Sequence, residues 1–409
     1  MEVDVRFASA AAIGYLTLTG ATAPDPMSAE LSPGNFERPL TKRVAVLLAL
    51  DADDARITDV GRAVLGVSDS VATRVYDYSY GQVQLEGALF PGFVEPTFSN
   101  CSSEELRGWA AETDAHAERL GIELGAYTNV FYYFPETSVC HWWALSEVGS
   151  VSVPRRDTWL NGTIDRIIIT HELLHNWGAR HAGARLCVDS GANVRCGVRE
   201  YGDPFDVMGN GSGHLSGAQK AALGWLSGCN VVDVREPGRF LVEPLESATG
   251  GVLTLKVVRR DGSADFVEYR LGEEPRSQVG GEGVVLVRHV ASTNQAAPTA
   301  LLSPRLFPEN VDVAQLGEDL FALPPGVELP LETGGRIRVE SVGAVGAVVA
   351  IEPAQSPRLG ERSTCLDGSE PQTRFRSEGL SYGPLGIARK NSSGTERISL
   401  PPNRLSGEM

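Results

Sequence analysis

The stretch Thr170–His181, THELLHNWGARH, decides how the rest of the chain is read. It carries His171, Glu172, His175, Gly178 and His181 in the pattern H-E-x-x-H-x-x-G-x-x-H. Three of the chain's 7 histidines fall inside it. With the apolar residues before it, the segment TIDRIIITHELLHNW (163–177) predicts one helix, with Thr163 as a candidate N-cap. Residues four apart on a helix share a face, about 6 Å apart along the axis. His171 and His175 can therefore turn their imidazoles toward one ion. Glu172 is rotated by about 100° from His171, so its carboxylate approaches an open position on that ion without occupying a ligand place. That suits a general base. A helix continued past His175 would carry His181 to the far side, about 9 Å further on. The helix must stop, and Gly178, which tolerates positive φ, is the predicted turn that folds His181 back as a third ligand. Three neutral imidazoles and a water form an open tetrahedral site, for which one catalytic Zn2+ is the expected ion. Burying His, Glu and His on so apolar a helix without an ion would carry a desolvation cost.

Downstream, EYGDPFDVMGN (200–210) places Met208, one of only 4 methionines, after the ligand loop. A thioether there would make an apolar floor beneath the histidines, in the manner of a Met-turn. Tyr201 precedes that turn, and a structural role is expected for it rather than one in the cleft. His116, His141 and His289 read as ordinary surface or strand-flanking residues. His214, between the turn and the next helix, is a weaker cleft candidate.

The pair HELLHNWGARH and EYGDPFDVMGN resembles the metzincin metalloproteases, most closely the gametolysin-type family. Further stretches agree: SYGQVQLEG (79–87), VFYYFP (130–135) followed by Cys140 and Trp143, TWLNG (158–162) and HLSGAQKAALGWL (214–226). The resemblance spans roughly residues 41–230. It implies zinc ligands at His171, His175 and His181, a catalytic base at Glu172 and the Met-turn residue at Met208. It also implies a substrate lying extended along an edge strand near Trp142–Val148. Leu174 and Trp177 depart from the family's smaller residues at those places, which predicts altered packing with the chemistry kept. No tyrosine closely follows Met208, so an astacin-type tyrosine ligand is not expected, and no cysteine-switch propeptide is visible.

Around this site the pattern alternates. RVAVLLAL (43–50) reads as a buried strand, and Val71, Val75 and Tyr78 fall at helical spacing within 68–81. QVQLEG (82–87) reads as a strand, Ser102 and Glu105 as a capping box opening a helix, and TNVFYYF (128–134) as another strand. Ser216 and Gln219 suggest a second capping box. The expected fold class is α/β (α+β): a metzincin-like catalytic domain over 41–229 with a twisted mixed sheet and an active-site helix. After Cys229 come the runs FLVEPL, VLTLKVV, DFVEYRL, GVVLVRH, RIRVESV and GAVVAIEP. These predict an all-β accessory domain over 230–353, a sandwich or partial barrel. Residues 1–40 read as an N-terminal segment, a candidate pro-segment remnant, and 354–409 as a disordered tail.

Composition bounds the rest. The chain has 409 residues, 42% hydrophobic and 22% charged, with a net charge of −16. That acidity disfavours nucleic acid as a partner, and no apolar run is long enough for a membrane-spanning helix. The 6 cysteines form no CxxC pair. Cys187 and Cys196 bracket a short polar loop, Cys101 with Cys140 is a second candidate disulfide, and Cys229 and Cys365 remain. Disulfides suit a secreted protein, although MEVDVR followed by AAAIGYLTLTG is a poor signal peptide. Asn161 and Asn210 head glycosylation sequons. DADD (51–54) lacks EF-hand spacing, so calcium has no sequence support.

The expected function is that of a secreted, monomeric zinc endopeptidase. Its mechanism would be attack of a zinc-bound water assisted by Glu172, on protein or peptide substrates such as cell-wall or matrix glycoproteins. The alternatives are an inactive zinc-binding adhesion protein and an exopeptidase.

Overall fold

The computed structural model describes residues 6–7, 16–17, 39–189, 191, 193–226, 228–247, 250–259, 261–271, 283–292, 297–308 and 320–354. Cys365 and nearly all of the expected 354–409 tail lie outside the described residues, as does most of the 1–40 segment.

The first half of the chain gives β1 (Arg6–Phe7), β2 (Leu16–Thr17), β3 (Leu40–Leu48), α1 (Arg56–Leu65), α2 (Val71–Tyr78), β4 (Val83–Pro91) and α3 (Ser103–Arg119). Then follow β5 (Asn129–Phe134), β6 (Ala144–Ser146), β7 (Asp157–Asn161), α4 (Arg166–Trp177), β8 (Ala182–Asp189), β9 (Val194–Arg199) and α5 (Gly217–Ala222). The strands β1 to β7 form one mixed sheet in the order β1-β2-β4-β3-β5-β7-β6. Its centre, β4-β3-β5-β7, is parallel, and β6 closes it antiparallel. A parallel strand covered on both faces needs apolar residues on both, which explains the unbroken run in β3. Val44, Val46 and Leu48 pack with α1, α2 and α4, while Ala45 and Leu47 pack with α3 and Trp159. Two helices start differently from expectation. Ser102 accepts from Glu105 N, but the Glu105 carboxylate turns instead to Ser99 and Asn100. Ser216 makes no side-chain cap, and the reciprocal half of the box is absent too: Ser216 N donates to Asp206 and the Gln219 side chain is engaged with Arg180.

The second half is strands: β10 (Val231–Asp233), β11 (Gly238–Val242), β12 (Thr254–Val258), β13 (Ala264–Arg270), β14 (Val284–Val290), β15 (Thr299–Pro308), β16 (Glu328–Pro330), β17 (Gly335–Gly343) and β18 (Gly346–Pro353). They form two sheets, β10-β12-β13-β14-β15-β8-β9 and β11-β18-β17-β16. Leu255, Val267 and Val287 of the first share a core with Ile337, Val349 and Ile351 of the second. The larger sheet runs on through β15, which pairs in parallel with β8, into the hairpin that follows His181. Hydrogen bonds thus cross residue 229 from both sides.

The disulfides Cys101–Cys140 and Cys187–Cys196 are formed. Asn161 is buried, and its amide serves Thr137, Cys140 and Trp142. It is therefore no glycosylation acceptor in the folded chain, whereas Asn210 is exposed.

Candidate metal centre

The helix α4 starts at Arg166, capped by Asp165, whose carboxylate accepts from the amides of Ile167 and Ile168. Thr163 is not the cap. Its hydroxyl accepts from Asp165 N, one step short of the helix, and a carboxylate reaching two orphan N–H groups displaces it. The other end is buried, and the carbonyls of Leu174, His175 and Asn176 all find partners beyond the helix. Gly178 takes φ 112°, and its N–H and that of Ala179 both reach the Leu174 carbonyl. Gly149 N donates to His175 O and Arg155 N to Asn176 O. A Cβ on residue 178 would lie 2.9 Å from Ser150 Cα, so the reversal needs glycine for space as well as for φ. Beyond it, the Gln219 side chain brackets Arg180, accepting from its N–H and donating to its carbonyl at 2.6 Å. His181 then precedes β8 directly.

The reversal brings His171, His175 and His181 together, with ligand atoms all within 4.8 Å of one another. Their side chains and that of Glu172 are buried. What stands behind each ring sets its tautomer. His171 Nδ1 lies 2.8 Å from Val207 O, His175 Nδ1 2.9 Å from Ala179 O, and His181 Nδ1 2.7 Å from Glu200 Oε1. Carbonyls and carboxylates only accept, so each Nδ1 carries the proton and each Nε2 presents a lone pair. His171 Nε2 is buried with no hydrogen-bond partner, and the Nε2 atoms of His175 and His181 face each other at 2.9 Å. Converging lone pairs in a dry pocket repel unless a cation lies among them. Burial also holds the rings of His171 and His175 neutral. The pKa of His171 is lowered to about 4 and that of His175 falls well below its usual 6.5. The donor set fits a zinc ion: neutral nitrogen ligands, held from behind.

Glu172 accepts a 2.7 Å hydrogen bond at Oε2 from Ser146 Oγ, on the edge strand β6. Met208 is fully buried in the core with Leu174 and Ala182, and its carbonyl accepts from Ala182 N. Its neighbour Val207 supplies the carbonyl behind His171. Leu174 is buried, while Trp177 packs on Trp225 and donates to Asn129. His214 does not join the metal-ligating group. Its ring lies tilted against that of Tyr78, 4.7 Å between centroids, and 3.1 Å from the buried Lys220 Nζ.

Sequence reasoning passed over Ser146, Glu200 and the part played by Tyr201. The Tyr201 ring lies 4.0 Å from that of His181 and 5.9 Å from that of His171, on a backbone at φ 54°. One signal was available. If Cys187 and Cys196 are cross-strand partners, the register of their hairpin brings residues 200 and 201 back beside its start, next to His181. The acidic loop at 51–54 makes no metal-binding group among the described residues, and Asp54 there is paired with Arg56.

The sequence model of the gametolysin peptidase M11 family matches residues 56–270, more than half of the chain. The chain belongs to the gametolysin family. Among known proteins, the autolysin of Chlamydomonas reinhardtii is 27% identical over 174 residues, 37% of this chain and 24% of the autolysin. The chain thus spans about a quarter of that protein. The buried triad fits the metal that a peptidase of this family needs. No described helix is long and apolar enough to cross a membrane.

Proposed function

We propose that the chain is a secreted, monomeric zinc endopeptidase with His171, His175 and His181 as ligands, Glu172 as the general base and Met208 as the Met-turn residue. One observation carries this reading: three Nε2 lone pairs of fixed tautomer converge beside a carboxylate one residue along the same helix. Zinc held there by His171, His175 and His181 would supply a Lewis acid for the scissile carbonyl and acidify the attacking water. Glu172 takes the proton of that water and passes it to the leaving amine. Ser146 holds one carboxylate oxygen, Oε2. Residues 41–229 form the protease region and 230–353 its β-rich companion. The substrate is an extended chain laid beside β6. Formed disulfides support an extracellular setting, and the autolysin relative supports cell-wall or matrix glycoproteins as substrates.

The test is hydrolysis of casein and end-labelled peptides by the full chain. We expect internal cleavage that a chelator abolishes and zinc restores. Glu172→Gln should bind zinc with stoichiometry unchanged and lose at least about a thousandfold in kcat, within the range assigned to general-base catalysis. Stoichiometric zinc without wild-type hydrolysis would instead favour the adhesion protein, and trimming from one end the exopeptidase.

A further inference from the structure

His181 differs from the other two rings in what stands behind it. His171 and His175 donate to neutral backbone carbonyls, but His181 donates to a carboxylate. We propose that Glu200 is a positioning residue. It fixes the tautomer and direction of His181 and strengthens that ring's hold on the ion. This rests on the zinc reading above.

The need for such a device follows from the fold. The helix aims His171 and His175, whereas His181 lies beyond the Gly178 break and has no helix to aim it. Its backbone is tied by Thr299 N, which donates to its carbonyl at 3.1 Å, and that bond leaves the ring free to turn. The hairpin β8–β9 removes this freedom. Its register pairs Ala184 with Arg199 and Cys187 with Cys196, and the latter pair is covalently bonded. The chain leaving β9 therefore returns to the point where β8 began. There Glu200 meets His181 Nδ1 at 2.7 Å, and the positive φ of Tyr201 lays the next ring against the same imidazole. A carboxylate acceptor draws the Nδ1 proton more strongly than a carbonyl does and enriches Nε2 as a donor. The histidine contributed by the loop is thus the one given the stronger acceptor.

The placement also makes the idea testable. The His181 side chain is 6% exposed and that of Glu200 66%, so Glu200 reaches in from the solvent and its replacement opens no cavity. Glu200→Gln keeps an oxygen acceptor of the same reach, removes the charge and puts an NH2 group in place of the second oxygen. Zinc affinity of the full chain would be measured by competition with a chromogenic chelator. The cobalt(II) absorption spectrum and the melting temperature of the zinc-free protein would be recorded alongside. We expect Glu200→Gln to bind zinc about tenfold more weakly, to shift the cobalt bands and to melt, zinc-free, with the wild type. Equal zinc affinity in the two proteins overturns the proposal. So does a zinc-free melting temperature that falls in step with affinity, because the residue would then be holding the hairpin only. A wild type that takes up no zinc is a separate result, and it overturns the metallopeptidase reading as well.

Discussion

Glu172 is held by a hydroxyl from another element, and that bond decides which way the carboxylate faces. Ser146 Oγ donates to it across the gap between β6 and α4, and both groups are buried. Ser146→Ala would leave the zinc ligands alone and let the carboxylate turn. A hydrogen bond to a charged group contributes about 1.5–3 kcal/mol. The expected outcome is a fall in kcat of about tenfold or more, with KM and zinc affinity nearly unchanged. Steady-state kinetics beside a chelator titration checks this, and recovery of kcat in Ser146→Thr would tie the effect to the hydroxyl. The convergence of the three histidines beside Glu172 was readable in the sequence because helical period and a glycine stop are local rules. Ser146 was not, because 26 residues and a change of element separate it from Glu172, and no periodicity relates the two.

The element that matters most is α4, a buried helix whose ends are satisfied from outside. Asn176 alone reaches two carbonyls, those of Glu147 and Asp157, and accepts from Asn129 and Thr158. Gly178 is the point where this packing meets the ligand loop. Gly178→Ala would force a left-handed residue, at about 1–2 kcal/mol, and drive a Cβ onto Ser150. We expect a lower melting temperature together with weaker zinc binding, since the change acts on the segment that delivers His181. Unaltered zinc affinity would separate the turn from the ligand geometry. At this scale the sequence was read well where strands are apolar, as in β3 and β5, and where apolar runs alternate with turns, as in β12 to β14. It missed β15 and the hairpin β8–β9. The residues of β9 are all exposed, so no hydrophobic pattern marks it. The partner of β8 lies more than a hundred residues further on, beyond the reach of any local rule.

Across the whole molecule, a buried ionic lattice joins the β-rich region to the ligand loop. Arg288, outside the family-matched stretch, bonds Asp203 and Glu268. Glu268 also accepts from Gly217 N and Arg270, and Arg270 donates to the His214 carbonyl. Burial pushes the Glu268 pKa up, but Arg270 and Arg288 outweigh it and hold the carboxyl down to about 2, below its usual 4.5. A carboxyl lowered in this way contributes stability that is present above pH 4.5 and lost as the pH falls toward about 2. His171, lowered to about 4 chiefly by burial, acts in the same sense, with stability present above pH 6.5 and lost toward pH 4. The zinc-free protein should therefore lose melting temperature in two acid steps, measurable by circular dichroism. Glu268→Gln should flatten the lower step and leave the upper one. A lower step of unchanged depth in that variant would place the acid sensitivity elsewhere. The pairing of β8 with β15 carries one more consequence, for biosynthesis. A ribosome must translate as far as Thr299–Pro308 before the strand that follows His181 finds its second neighbour, after β9. The nascent polypeptide thus emerges with the loop that carries His181 paired on one side alone, through β9, until most of the chain has been made.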